Sequence, residues 1–189
     1  MKIVLITLVS VCMLLSDSLA YSDQTKLMKS PDGKFNARIT SVQKTSQGPP
    51  EFIIEMIDSG GKLVTKEDFT SEDGEHGLSM DKAEWTPDSR FFIFTTYSSG
   101  GHMAWQFPAF FFSVADRKVY HFSDYLPPVA ESSFSVKKPD IVTMAIWTPM
   151  SADKMLDNSI ILPITFRMSD LLKPKHYFLS PNKGSLLIQ

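Results

Sequence analysis

The stretch "KSPDGKF", Lys29 to Phe35, and its near-copy "WTPDSRFFIF", Trp85 to Phe94, decide how the chain is read. Each sets proline, aspartate, a small residue and a basic residue directly ahead of an aromatic-led apolar run. The order is turn chemistry. Proline fixes φ at about −65° and suits the second position of a β-turn, while aspartate accepts backbone amides two residues on. Gly33 and Ser89 relieve crowding before the strand starts, and Phe35 and Phe91 anchor that strand in the core.

Outward from these corners, apolar residues cluster in short β-branched and aromatic runs separated by Gly, Pro, Asp and Ser, the pattern of many short strands. Strands are predicted over Phe35–Val42, Phe52–Ile57, Lys62–Lys66, Phe91–Tyr97, Ala109–Val114, Val119–Phe122, Ile141–Trp147 and Ile160–Phe166. Gly60 and Gly61 allow a tight turn between the second and third, and "ADRK" turns the chain after Val114. Pro163 marks its strand as an edge or a bulge. Polar Glu67–Asp81 reads as a surface loop, "YLPPVAESS" as a break, and Met168–Lys173 as a helical turn capped by Ser169. Tyr177–Ile188 resembles a further hairpin. In "WQFPAFFF", alternation sends Phe110 and Phe112 to one face and Phe111 to the other, which predicts a sheet covered on both sides.

The two corners recur with their surroundings. Pro31 and Pro87 stand 56 residues apart, and each is followed by strand, loop, apolar strand, tight turn and return strand. Repetition on this scale indicates stacked supersecondary units. Trp147-Thr148-Pro149 repeats Trp85-Thr86-Pro87 without the aspartate, and Ser180-Pro181-Asn182 is a fainter echo. The corner motif, over residues 28–69 and 83–125, resembles the blade repeat of TolB-type β-propellers. That resemblance implies four-stranded antiparallel meanders, in proteins that serve mostly as scaffolds for protein contacts. The spacing exceeds the ~40–45 residues of compact blade repeats, and a closed propeller takes at least four blades. The expected fold is therefore mainly β, with blade-like meanders in an incomplete or irregular arrangement; a β-sandwich that shares the turn is the alternative.

Residues 1–20 read as a secretory signal: Lys2 at the start, an apolar run from Ile3 to Leu15, and Ser18-Leu19-Ala20 at the cleavage positions. The run is shorter than the ~20 apolar residues that cross a bilayer as a helix. Residues 21–189 then form a single β domain. The only cysteine, Cys12, lies within the signal, so an exported domain would be held by its core and not by disulfides. With no Asn-x-Ser/Thr sequon, the chain fits a periplasmic or secreted bacterial protein. A net charge of −2 without a basic cluster argues against nucleic-acid binding.

No nucleophile elbow, zinc-protease pair, P-loop or dinucleotide fingerprint occurs, and no cofactor or metal site is read from the sequence. "SEDGEHG", Ser71 to Gly77, has oxygen donors enough for calcium but not an EF-hand spacing, and reads as a solvated loop. "SSGGHMAW", Ser98 to Trp105, places a histidine and a tryptophan on a glycine-rich loop. His102, Trp105 and Phe107 are the candidate binding residues. The expected function is that of an exported, non-enzymatic β-rich module that binds a protein or a cell-envelope component. The alternative is an extracytoplasmic hydrolase acting on sugars or peptides, which would need Asp32, Asp88, His76 and His102 to converge.

Overall fold

A computed structural model describes residues 24–46, 48–101, 106–148 and 160–173. The leader (1–20), His102, Trp105, Pro149 and the Tyr177–Ile188 hairpin lie outside the described residues. Among the described residues, eleven strands form three successive antiparallel meanders. Sheet A holds β1 (Gln24–Lys29), β2 (Phe35–Val42), β3 (Glu51–Asp58) and β4 (Leu63–Asp68) in sequence order. Sheet B holds β5 (Leu78–Trp85), β6 (Phe91–Ser98), β7 (Ala109–Ser113) and β8 (Lys118–His121). Sheet C holds β9 (Val129–Lys137), β10 (Ile141–Thr148) and β11 (Ile160–Arg167). Among the described residues no sheet closes on itself; the fold is mainly β, built of three open antiparallel meanders of four, four and three strands.

Sheet B is the middle layer, and its alternation explains why. Phe92 and Phe94 of β6 with Phe110 and Phe112 of β7 face sheet A, where Phe35, Ala37, Ile39, Phe52, Ile54 and Met56 meet them. Phe91, Ile93, Ala109 and Phe111 face sheet C, against Val142, Met144, Ile146, Ile164 and Phe166. The expected split of Phe110 and Phe112 from Phe111 is therefore what the fold uses. A strand buried on both faces reads as a continuous apolar run, as Ala109–Phe112 does.

The two proline corners are equivalent bond for bond. In the first, Ser30 N donates to Phe35 O (2.9 Å) and Gly33 N to Ser30 O (2.9 Å). Ser30 Oγ accepts from Phe35 N at 3.0 Å and donates to Asp32 Oδ1 at 2.8 Å, while Lys34 N donates to Asp32 Oδ1 at 3.1 Å. In the second, Thr86 N donates to Phe91 O (2.8 Å) and Ser89 N to Thr86 O (2.8 Å). Thr86 Oγ1 accepts from Phe91 N at 3.0 Å and donates to Asp88 Oδ1 at 2.7 Å, and Arg90 N donates to Asp88 Oδ1 at 3.1 Å. Gly33 and Ser89 both sit at positive φ, 74° and 64°. The residue before proline, Ser30 or Thr86, is thus part of the motif: its hydroxyl closes the corner.

Several sequence expectations change. The first strand of each sheet (β1, β5 and β9) was not predicted; all three lie at sheet edges, where polar residues dilute the period-2 signal. The Glu67–Asp81 loop shrinks to 69–77, because β4 runs on to Asp68 and β5 begins at Leu78. The third corner is not Trp147-Thr148-Pro149: Trp147 and Thr148 end β10. Lys138-Pro139-Asp140, ahead of β10, holds the equivalent place, with a cis Lys138–Pro139 peptide. The short helix α1 (Met168–Leu171) is preceded by Arg167 and not capped by Ser169; the Ser169 amide instead donates to Asp140 Oδ2 at 2.9 Å. Among the described residues, Pro163 lies on an edge strand. Among the described residues, no helix is long and apolar enough to cross a membrane.

Candidate functional site: the loop end

The meanders give the molecule two unlike ends. One carries the corners 30–34, 86–90 and 138–140, with the tight turns 58–62 and 114–117. The other carries the longer connections 43–50, 69–77, 99–108 and 122–128. Loops of this kind on a rigid β frame are where binding groups concentrate.

Glu51 organises the loop end. It opens β3, is 1% exposed, and takes hydrogen bonds from two of the loops. Oε2 accepts from Ser71 N at 2.7 Å, and Oε1 accepts from Ser71 Oγ (2.6 Å), Gly77 N (2.7 Å) and Ser99 Oγ (2.8 Å). Burial pushes the Glu51 carboxyl up, but the donors from Ser71, Ser99 and Gly77 outweigh it and hold the group below its ordinary value. Gly77 has to be glycine: a Cβ there would lie 2.4 Å from both Glu51 Oε1 and the Phe69 carbonyl. Phe69 closes the base of the same loop, stacked on Phe52 at 4.7 Å.

The acidic loop is exposed but ordered by its own bonds. Asp73 accepts from Glu75 N (3.0 Å) and pairs with His76 Nδ1 at 2.6 Å, with Ser71 Oγ, whose one proton it shares with Glu51, 3.0 Å away. The Glu75 amide, then His76 and Ser71, hold the Asp73 carboxyl well below the usual carboxylate range. Among the described residues, no three His, Cys, Asp or Glu side chains are grouped to hold a metal ion.

The stems of the 99–108 loop are fixed on both sides. Ser99 N donates to Gly77 O at 3.1 Å beside the Glu51 bond, and Phe107 N donates to Val129 O at 3.0 Å. Phe107 is half-buried and packs against the core between sheets B and C. Of the three candidate binding residues it is the described one, and the contact it makes is internal. His102 and Trp105 lie between these stems, outside the described residues.

Of the candidate hydrolase residues, His102 lies outside the described residues, and His76 stands at the opposite end of the molecule from Asp32 and Asp88, whose corners adjoin. Asp32 and Asp88 sit in corners, each consumed by its own turn. Burial raises both carboxyls, and the turn donors outweigh it and lower them: the Lys34 amide and Ser30 for Asp32, Thr86 and Arg90 for Asp88. His76 precedes β5 and Asp88 follows it, so eight extended residues separate them by ~25 Å. General acid–base work needs hydrogen-bond reach. Sequence reasoning missed the Glu51 cluster because its members lie far apart in the chain, and an acid before "FII" carries no local sign of burial.

Chemistry at the corner end is likewise internal. Asp140 is fully buried; its Oδ2 accepts from Arg90 Nη2 (3.2 Å) and Ser169 N (2.9 Å), and Oδ1 has no partner. Compared with known proteins, the chain matches no protein-family model, and no curated protein matches its sequence.

Proposed function

We propose that this protein is an exported, non-enzymatic β-rich module that binds a protein or a cell-envelope component with its loop end. The observation that carries the reading is the Glu51 cluster, which pins the 69–77 loop and the stem of the 99–108 loop to one buried carboxylate. Holding the 69–77 loop and the Ser99 stem in place avoids part of the ordering cost of binding. The use of Asp32 and Asp88 within their turns supports a scaffold over a hydrolase. The matched corners support kinship with TolB-type blades, and the apolar leader supports export to the periplasm or medium.

The test is the double substitution His102→Ala with Trp105→Ala. Immobilised protein should lose most of its partner capture from an envelope extract while its Tm stays within about 2 °C of wild type. Unchanged capture by the double variant removes the loop end from the binding role.

A further inference from the structure

Residues 70–77 are fastened to the molecule by polar bonds and not by packing. Glu72, Asp73, Glu75 and His76 are exposed, Thr70 and Ser71 are half-buried, and the buried members of the run are Gly74 and Gly77, which have no side chains to pack. The neck of the loop is closed without them. Phe69 stacks on Phe52, its amide donates to the Phe52 carbonyl at 3.0 Å, and Leu78 N donates to the Phe69 carbonyl at 2.9 Å. Beyond that neck the bonds converge on Glu51, which takes Ser71 N, Ser71 Oγ and Gly77 N. The Ser99 stem is fastened to the same group, its hydroxyl to Glu51 Oε1 and its amide to the Gly77 carbonyl at 3.1 Å.

The four donors at Glu51 are of two kinds. The hydroxyls can rotate to other acceptors: Ser71 Oγ lies 3.0 Å from Asp73 Oδ1, and Ser99 Oγ lies 3.2 Å from the Gly77 carbonyl. The amides cannot turn, and they face different oxygens, Ser71 N at Oε2 and Gly77 N at Oε1. A proton on Oε2 spoils the Ser71 bond and a proton on Oε1 the Gly77 bond, so neither position spares both. The charged groups around the cluster are engaged elsewhere. Lys44, from the 43–50 connection, donates to the Ser71 carbonyl, Asp68 at the end of β4 accepts from Thr70 N at 2.9 Å, and His76 pairs with Asp73. Glu72 and Glu75 are exposed, and residues 98–101 of the stem carry no charge. Of these groups, Asp73 shares a donor with Glu51.

We propose that Glu51 is an acid-operated latch: a proton on its carboxyl frees residues 70–77 and the Ser99 stem together, while the Phe69–Leu78 neck and the sheets hold. With its donors in place the carboxyl lies below its ordinary value of 4.5. The latch is therefore closed above that value and loosens as pH falls below it. Opening takes up one proton, so the open fraction rises by at most about tenfold per pH unit. Local opening ahead of global unfolding is the behaviour of a segment with few buried apolar contacts. The latch rests on the Glu51 geometry and is independent of what the loop end binds.

Hydrogen exchange of the full chain from about pH 3 to about pH 7, each amide corrected for its intrinsic rate, tests this. Protection of the Ser71, Gly77 and Ser99 amides should be flat above about pH 5 and then fall in step, by up to about tenfold per pH unit. The amides of β6 and β7 should keep theirs over the same range. Glu51→Gln should leave the three amides weakly protected at every pH, with no slope. Asp73→Asn neutralises the other carboxylate on Ser71 and should retain the slope; it decides the matter if Glu51→Gln does not fold. Three amides that stay protected throughout overturn the proposal, and so does a loss of protection that β6 and β7 share, which is global unfolding. It is equally overturned if Ser99 holds while Ser71 and Gly77 open, if the slope persists in Glu51→Gln, or if it vanishes in Asp73→Asn.

Discussion

The backbone amide of Asp32 donates to the hydroxyl of Ser89 at 2.9 Å, joining the first corner to the second across 57 residues of chain. The second corner is joined to the third in the same way: Asp88 N donates to the Pro139 carbonyl at 3.2 Å. The first two corners therefore each use their aspartate twice, the side chain to close its own turn and the amide to reach the next sheet. The repeat sets not only three similar meanders but the way they stack.

Ser89 is the test of that link, because it stands where the first corner has Gly33. It accepts the strain of φ 64° and supplies the hydroxyl. Ser89→Ala keeps the strain and leaves the Asp32 amide without this partner, and should cost ~1–2 kcal/mol in urea unfolding. Ser89→Gly loses the same bond but relieves the backbone, and should cost less than half as much. Equal losses in the two variants would separate Ser89 from the corner-to-corner link.

The corners and the strands they launch were legible because the information is local: a proline, an aspartate two positions past a hydroxyl residue, and an aromatic after it. The middle layer was legible because Ala109–Phe112 has no polar face. β1, β5 and β9 were not, since an edge strand such as Gln24–Lys29 is nearly all exposed and is held by its neighbour's ladder and not by its own pattern. The third corner was obscured because Trp147-Thr148 copies the letters of Trp85-Thr86 in a strand end. Glu51, Ser71, Gly77 and Ser99 meet only after two sheets have formed.

Trp85 shows how an exposed first strand is retained. Its indole Nε1–H donates to the Met28 carbonyl at 2.9 Å, from sheet B to β1 of sheet A, and the ring packs on Phe92 at 5.1 Å. Trp85→Phe preserves an aromatic and removes the bond, at ~1 kcal/mol. Tm should fall by about 2–4 °C. The sharper signature is local: amides of Gln24–Lys29 should exchange faster while those of β6 and β7 hold.

Asp140 separates a charge effect from a hydrogen-bond effect. Only Oδ2 is engaged, by Arg90 and the Ser169 amide; buried Oδ1 is unpartnered. Asp140→Asn can present its oxygen to the same donors and place its amide where Oδ1 was, while relieving a buried charge. It should change stability by no more than ~1 kcal/mol. Asp140→Ala strands the Ser169 amide and the Arg90 contact and opens a void, at a cost of ~2–4 kcal/mol. Thermal unfolding of the pair settles the order, and an Asn variant as damaged as the Ala variant would mean the carboxylate charge itself holds the third corner.

Glu51 ties stability to pH at the loop end. Its ordinary value is 4.5, and the folded protein holds it lower because donors from Ser71, Ser99 and Gly77 outweigh burial. A depressed carboxyl contributes stability that is fully present above the unfolded value and is lost as pH falls through the folded one. Below about pH 4.5 wild type should therefore lose stability that Glu51→Gln lacks at every pH, and the two unfolding curves should converge on acidification. At neutral pH the Gln variant should be weaker by ~2–3 kcal/mol, since an amide cannot accept at both of its atoms from the donors that converge there. Gly77→Ala attacks the same cluster sterically, through a Cβ 2.4 Å from Oε1, and should cost ~1–3 kcal/mol without the acid convergence. If partner capture falls in Glu51→Gln while His102 and Trp105 are intact, the cluster holds the binding loops; if capture is unchanged, it serves the fold alone.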